Sequence, residues 1–545
     1  YCLLSRGLGD VYKRQHKAYA PLERLFALYA CAVPMDLKAA LLRAMAAFAT
    51  QTGTGASPRI LSALWDNLDQ SGAIRSVRGE PPRALYELEH IECVHGRYPG
   101  THALVSFLSA ILPHVAPVSN AATLVAHMQD TLSLTAPMLA SRKSTAHAVS
   151  YVTFVLDHVL LPASTRTYVR PAERWSLSAA CLEFAEQCLA TLPVAPLDST
   201  HPGFDVLRRL LSGTPFLQEI FFFVHPDPSC AGYEVINFNM AQTPDYVRVV
   251  RAALRILLHV LDLQNDVLHV LPLTHDAALK DRALFLPLDA HLLHAHQIVV
   301  QVALYVHCVD AEAAWLAVRL LRALARTSTF QATDAFGPLR ARTSCNRLVG
   351  LLDMTGETSR VISGVLAWLE ADSDDGEDAG ASPAKIQREL LDLFLDQLAP
   401  DAPAPNVAHL LLGFDMNAPE SDRLVQGSRD ALLHTLVKRV TPPSTWTPAL
   451  AERCYAVLHR ACLHPYTSAS MLRFLRMHDF CAVQLRALPL TPMAVPDQGT
   501  LVYGATGEAI STSPEWALAL LHTHAHMLSL VALELHTLAC LLYTS

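Results

Sequence analysis

The chain has 545 residues, of which 51% are apolar and 17% are charged. This balance excludes a mostly disordered protein, because disordered chains are poor in apolar residues and rich in charge. The formal net charge is −8 and no long basic run is present, which argues against a protein that wraps a nucleic-acid backbone. The length allows roughly three or four domains, or one long repeat array.

The two ends of the sequence do not read as natural protein. Residues 1–15 look like translated cloning adapter, and residues 541–545 look like the matching scar. Both runs are therefore left out of the fold prediction. Because the first residue is Tyr1 rather than a methionine, we expect the chain to be an internal fragment of a longer protein.

Helical periodicity of apolar residues dominates the rest of the sequence, and proline or polar turns separate the blocks. One short segment, Tyr233–Phe238, is instead predicted to be extended. The helices are predicted at Pro21–Ala32, Asp36–Thr50, Arg59–Gln70, Arg83–Val94, Thr101–Leu112, Ala146–Leu161, Pro171–Leu192, Asp245–Leu263, Ala311–Arg326, Glu357–Glu370, Ala384–Leu398, Pro448–Leu463 and Pro514–Leu538.

The clearest of these helices, Asp245–Leu263, carries a narrow polar stripe on an otherwise apolar surface. Arg248, Arg251 and Arg255 form the basic part of this stripe. They are candidates for binding an acidic partner, but a solvated helix face is the more ordinary interpretation. A similar polar stripe is predicted along Ala311–Arg326.

The twelve cysteines include no C-x-x-C pair. Cys181 with Cys188, and Cys454 with Cys462, are about two helical turns apart, which is typical of small core residues. This spacing favours neither a disulfide framework nor a zinc ribbon, and it indicates a reducing compartment such as cytosol or nucleus.

The most apolar stretches, Ile298–Val309 and Ala517–Leu542, are both interrupted within the ~20 residues that a membrane span needs. Histidines and Asp310 flank the first stretch. The second contains several histidines and Glu534. No transmembrane helix is predicted.

The sequence as a whole predicts an all-α fold, an irregular α-solenoid. Such a fold is a HEAT- or armadillo-like superhelical stack of antiparallel helices without a fixed repeat length. We assign residues 16–370 to the first part of the solenoid, 371–405 to an acidic and proline-rich loop region, and 406–540 to the continuation. A globular helical enzyme is the alternative.

One acidic motif matches enzymes of that alternative class. Asp374, Asp375 and Asp378 form the D-D-x-x-D pattern with which helical terpene synthases bind magnesium diphosphate. A second metal cluster is required, and the nearest candidate, Asn265 with Asp266, lacks the residues that should follow it. The motif also lies beside glycines in a loop-like context, so a solvated acidic loop is the favoured interpretation.

Histidines and one glycine pair are the remaining candidates for chemistry. Neither histidine group has Cys, Asp or Glu at a spacing that would complete a metal site, and the glycines lack the rest of a nucleotide fingerprint. We therefore predict no catalytic residue, no cofactor and no metal site. The groups are His291, His294 and His296; His522, His524 and His526; and Gly53-Thr54-Gly55.

Several blocks, in order along most of the trimmed chain, carry a family resemblance. They are Tyr86–Glu92, Arg97–Thr101, Tyr151–Val155, Arg166–Tyr168, Glu173–Trp175, Cys181–Phe184, Ala404–Phe414, Arg453–Tyr455, Leu472–Arg476 and Asp479–Phe480. Together they resemble the largest inner-ring scaffold nucleoporins of the nuclear pore complex, the family named for nucleoporin two-hundred-and-five. A paralogous type, one-hundred-and-eighty-eight, shares the architecture.

The resemblance implies a scaffold of the nuclear pore inner ring that is not an enzyme and carries no cofactor. It implies linker and inner-ring scaffold nucleoporins as partners, location at the nuclear envelope, and support of protein and mRNA transport. The fragment would come from the N-terminal half of such a protein. Two alternatives stay open at this stage: a magnesium-dependent prenyl diphosphate enzyme and a karyopherin-like transport receptor.

Overall fold

The fold is seen in a computed structural model. The structure describes residues 21–50, 58–74, 82–112, 149–193, 201–226, 232–239, 244–270, 285–334, 345–372, 381–415, 424, 431–441, 446–487, 500–502, 509–511 and 514–544.

Helices account for most of the described residues. Two π-helical turns, Leu88–Glu92 and Phe154–Leu160, and two 3-10 segments, Leu161–Ser164 and Tyr305–His307, extend or link them. Up to residue 270 the α-helices are α1 (Pro21–Ala30), α2 (Met35–Thr50), α3 (Pro58–Gln70), α4 (Arg83–Glu87), α5 (Cys93–His95), α6 (Pro99–Ile111), α7 (Pro171–Ala190), α8 (Pro202–Leu211), α9 (Pro215–Val224), α10 (Gly232–Asn239) and α11 (Pro244–Val270).

The later part of the chain continues in the same way. From residue 288 onward the α-helices are α12 (Leu288–His294), α13 (His296–Leu304), α14 (Ala311–Arg326), α15 (Ser328–Gln331), α16 (Arg347–Thr355), α17 (Thr358–Glu370), α18 (Pro383–Gln397), α19 (Val407–Leu411), α20 (Ala431–Val440), α21 (Pro448–Leu463), α22 (Ser468–Met477), α23 (Phe480–Ala487) and α24 (Pro514–Thr544).

Strands within the described residues are short and form two antiparallel hairpins. β1 (Thr333–Asp334) pairs with β2 (Cys345–Asn346), and β3 (Thr500–Val502) pairs with β4 (Ala509–Ser511). Strands of two or three residues cannot form a core of their own. The all-α prediction is therefore confirmed.

The helices pack in series within two compact units. The first unit comprises residues 1–223 and 241–288, and the second comprises residues 224–240 and 289–545. In the first unit α2 packs on α6, α6 on α7, and α7 on α11; in the second, α14 packs on α18, α18 on α21, and α21 on α24. Each of these helices contacts a helix further along the chain rather than closing one common core. This serial packing is typical of an α-solenoid and confirms the predicted fold class.

Two helix starts that the sequence predicts are confirmed by their caps. The Asp310 carboxylate accepts a hydrogen bond from the Ala313 amide at 2.9 Å at the start of α14. The Ser382 hydroxyl accepts one from the Lys385 amide at 3.4 Å, with Pro383 as the first residue of α18. Both caps satisfy an amide that the first helical turn leaves without a partner.

The loop region assigned to 371–405 is wrong over its middle. Residues Pro383–Gln397 form α18, and this helix buries Ile386, Leu390 and Phe394. The acidic and proline-rich segments on either side dominated the composition, whereas the spacing of these apolar residues follows a helical face. The helix predicted at Ala384–Leu398 is the correct interpretation.

The extended segment predicted at Tyr233–Phe238 is also wrong. It lies in α10 (Gly232–Asn239), where Tyr233 and Ile236 are buried. Buried residues three positions apart share one side of a helix, whereas they would point to opposite faces of a strand. Six residues are too few for the two periods to be told apart from sequence.

Candidate interaction surfaces

The arginine stripe of α11 is joined to the neighbouring helix of its own unit. The Arg248 guanidinium bonds the Glu183 carboxylate of α7 at 2.8 Å, and that of Arg255 bonds Glu186 of α7 at 2.9 Å. Arg248 also reaches Asp245 at 3.2 Å. Glu183 and Glu186 are three residues apart on α7, so both face the stripe. The stripe therefore holds two helices together, which neither interpretation from sequence had anticipated.

A second set of ion pairs joins successive helices of the other unit. Arg322 of α14 bonds Glu389 at 2.8 Å and Asp396 at 2.5 Å on α18. Asp392, on the same helix, lies 3.5 Å from Arg322 and accepts a hydrogen bond from Arg453 of α21 at 3.0 Å. We call Arg322, Glu389, Asp392, Asp396 and Arg453 the ion-pair ladder. It connects three helices that are far apart in sequence.

The ladder is stronger than a set of isolated surface ion pairs. Arg322 is partly buried, with 19% of its side-chain surface exposed, and it contacts three carboxylates. Shared, partly desolvated charges are screened less than exposed pairs. Burial alone would lower the pKa of Arg322, but hydrogen bonds to Asp396 and Glu389 outweigh it and raise that pKa. The arginine therefore remains charged at every physiological pH.

The first unit contains a buried charge cluster around Tyr29. Lys38, only 3% exposed, bonds Glu87, and the Arg83 guanidinium lies 4.6 Å from the centre of the Tyr29 ring. Burial raises the pKa of Tyr29 to about 12. A cavity of about 10 Å³ beside the cluster is lined in part by Tyr29, Lys38, Glu87 and Thr101. Such a volume holds roughly one water molecule and no organic substrate.

Glu92 is the last residue of the π-helical turn Leu88–Glu92, and its side chain caps a different helix. One of its carboxylate oxygens accepts a hydrogen bond from the Gly100 amide at 2.7 Å, and the other accepts from the Thr101 amide at 3.2 Å and from the Thr101 hydroxyl. These donors belong to the first turn of α6, whose amides have no partner within the helix. Burial raises the pKa of Glu92 to about 7, while the bonds from Thr101 and Gly100 oppose this shift.

Replacing Glu92 by glutamine is expected to flatten the pH dependence of stability. The pKa of the Glu92 carboxyl is about 7 in the folded chain and 4.5 as its ordinary value. Between these two pH values the folded state therefore binds more protons than the unfolded state. The stabilising contribution is therefore complete below pH ~4.5 and is lost as pH rises through ~7, by up to ~3 kcal/mol.

Urea denaturation at several pH values between ~4.5 and ~8 measures this effect. Glu89, exposed on the same π-helical turn, supplies the matched control Glu89→Gln. Equal pH profiles for the two variants would show that the Glu92 carboxyl does not titrate in this range.

The sequence-predicted site residues do not form one site in the described part of the chain. Asp374, Asp375 and Asp378, and Gly53 with Gly55, lie outside the described residues. Among the described residues, no three His, Cys, Asp or Glu side chains are placed to hold a metal ion.

The two histidine groups lie on separate helical segments. His291 and His294 are in α12, and His296 begins α13. In α24, the His522 ring lies 3.0 Å from the Glu452 carboxylate of α21, and the His526 ring centre lies 5.9 Å from that of His459. His522 and His526 therefore contact the neighbouring helix α21.

Helix α24 is long and rich in apolar residues. Its segment Leu518–Cys540 is long and apolar enough, by length and composition alone, to cross a membrane, a criterion that core helices of other proteins also meet. Met527, Leu530 and Val531 are buried, whereas Leu528 and Leu535 are 51% and 62% exposed. The helix therefore has one packed face and one open apolar face.

Sequence reasoning missed the acidic partners of both arginine sets and the buried Glu92. The only available signal was spacing: Glu183 with Glu186, and Glu389 with Asp392 and Asp396, recur every three or four residues on one helix face. That spacing indicates a shared face but not what the face contacts.

Serially packed helices, joined in places by interhelical ion pairs, place the described part of the chain in the α-solenoid class. A family model described as nuclear pore complex scaffold, nucleoporins 186/192/205, matches residues 10–541. The chain therefore belongs to this nucleoporin family, as the sequence blocks had indicated.

Individual relatives agree with the family. The chain is 24% identical over 535 residues to the human nuclear pore complex protein Nup205, with 88% of this chain and 24% of that protein covered. It is 24% identical over 402 residues to Arabidopsis thaliana NUP205, with 68% and 19% covered, and 26% identical over 220 residues to Drosophila melanogaster Nup205, with 38% and 9% covered. The chain thus spans about a quarter or less of these relatives.

A solved structure, the NOT1 superfamily homology domain from Chaetomium thermophilum, aligns over 84% of this chain and 88% of that one. Its TM-score is 0.24 and its identity 11%, values too low to establish a shared fold.

Proposed function

We propose that this chain is part of the structural scaffold of the nuclear pore complex, located at the nuclear envelope. The observation that carries the proposal is the match of the nuclear pore scaffold family over residues 10–541. The ion-pair ladder supports it, because a scaffold must keep successive helices in fixed register under load. Karyopherin-like transport receptors share helical stacking but are not the family that this sequence matches.

Within that scaffold we propose other nucleoporins as the partners, both inner-ring scaffold nucleoporins and linker nucleoporins. A short disordered stretch of a linker would place leucine or aromatic anchors between adjacent helices. The expected affinity is roughly micromolar, because the linker loses conformational freedom on binding. Salt should weaken such apolar binding little. Arg248 and Arg255 are paired with Glu183 and Glu186, so a contribution from them to partner binding is not expected.

Fluorescent tagging of the parent gene, followed by crosslinking and mass spectrometry, tests the proposal. We expect a signal at the nuclear rim and crosslinks from this chain to nucleoporins. Titration of residues 16–540 with synthetic linker segments, at low and high salt, tests the linker step separately. A diffuse signal without nucleoporin crosslinks would contradict the scaffold role, whereas peptides that fail to bind would contradict only the linker step.

We also propose that the chain is not an enzyme and that the acidic motif is a loop feature. Replacing Asp374, Asp375 and Asp378 together by asparagine should change stability by less than ~0.5 kcal/mol, the usual range for solvated surface positions. Nuclear-rim localisation should be unchanged. Magnesium-dependent release of diphosphate from a prenyl diphosphate, abolished by the triple variant, would establish the enzymatic alternative instead.

A further inference from the structure

Helix α24 carries an apolar stripe that the described part of its unit leaves mostly exposed. The exposed fractions of Leu518, Leu528 and Leu535 are 53%, 51% and 62%. Positions seven residues apart repeat along one side of the helix, as in surfaces that receive another helix. We call these residues the outer stripe: Leu518, Leu521, Ala525, Leu528, Ala532, Leu535 and Ala539.

The opposite side of α24 is fixed to its own unit. Met527 and Leu530 are buried, with 3% and 1% of their surface exposed, in a helix that packs on α21. The Glu534 carboxylate accepts hydrogen bonds from Arg476 of α22 at 2.6 and 3.0 Å. The helix therefore cannot turn its outer stripe inward without breaking these contacts.

The outer stripe differs chemically from two helix junctions of this unit. The junctions of α14 with α18 and of α18 with α21 are crossed by arginine–carboxylate pairs, whereas the outer stripe contains no Asp, Glu, Lys or Arg. From Leu521 onward leucines alternate with alanines along it, so large side chains stand beside gaps into which a facing helix can pack. Terminal repeats of solenoids instead present a polar outer face.

The length of full-length family members indicates what covers the outer stripe. This chain spans 24% of human Nup205, and 88% of the chain takes part in that match. Full-length members thus contain about three times as much further polypeptide, tethered to the same unit. A tethered helix has a far higher effective concentration at the stripe than a separate protein.

We propose that the outer stripe of α24 is an internal helix junction, covered in the full-length protein by an apolar helix from another part of the same polypeptide. This inference rests on the packing of α24 and the length of the family, and does not depend on the proposed function. Because no ion pair is available on the stripe, the junction is held by apolar burial and is insensitive to salt.

Thiol accessibility tests the junction. Leu528→Cys and Leu535→Cys are made in the 545-residue chain and in the full-length product of the parent gene, with Met354→Cys, 69% exposed on α16, as the reference. Maleimide labelling is followed peptide by peptide. In the 545-residue chain all three sites should react at similar rates. In the full-length protein the labelling rate at 528 and 535 should fall at least ~10-fold relative to that at 354. This protection should be the same at low and at high salt.

Three results would overturn the proposal. Equal labelling of 528 and 535 in both proteins would show that the stripe stays open. Protection in the 545-residue chain that increases with protein concentration would assign the stripe to a second copy. Protection that appears only with phosphatidylcholine vesicles would assign it to a membrane surface.

Discussion

Replacing Gly203 by alanine is expected to lower the free energy of unfolding by ~2–3 kcal/mol. A Cβ atom at this position would lie 2.1 Å from the Cys188 carbonyl oxygen and 3.0 Å from the Leu192 Cβ. The carbonyl belongs to the backbone of α7, so it cannot rotate away as a flexible side chain would. The start of α8 would have to move off α7, and overpacking of this kind typically costs ~1–3 kcal/mol.

Urea denaturation of the alanine variant, alongside Gly356→Ala, measures the effect. Gly356 has a φ of +73° and no atom within 4 Å of its Cβ position, so its substitution introduces backbone strain without a clash. That strain costs ~1–2 kcal/mol. Gly203→Ala should therefore be the more damaging change, and the reverse order would mean that α7 and α8 are not in such close contact.

Replacing Arg322 by alanine is expected to destabilise the second unit by ~2 kcal/mol. The substitution removes hydrogen bonds to Glu389 and Asp396 and leaves three neighbouring carboxylates, including Asp392, without their shared cation. Hydrogen bonds to charged groups contribute ~1.5–3 kcal/mol each, and the partial exposure of the site reduces the total.

Arg388→Ala is the matched control for this change. Arg388 is exposed on α18, the helix that supplies the acidic residues of the ladder. Thermal and urea unfolding should place this control within ~0.5 kcal/mol of the parent chain. Equal losses for both variants would show that the ladder adds nothing beyond general surface charge.

The sequence predicted helix positions well because their signal is local. Apolar side chains recur every three or four residues, and caps such as Asp310 and Ser382 mark where helices start. The short segment Tyr233–Phe238 was misread because six residues do not separate a helical from an extended period. The assignment of 371–405 as a loop region followed its composition and passed over the helix that periodicity predicts at Ala384–Leu398, since an average over a region removes the periodic signal.

The helices and the all-α class therefore follow from local sequence patterns. The places where the charges act depend instead on how the chain folds. Arg322 bonds residues about seventy positions away, and Glu92 caps a helix other than its own. Residues on one helix face are visible from their spacing, but the identity of the facing helix depends on how the whole chain packs, which no local pattern records.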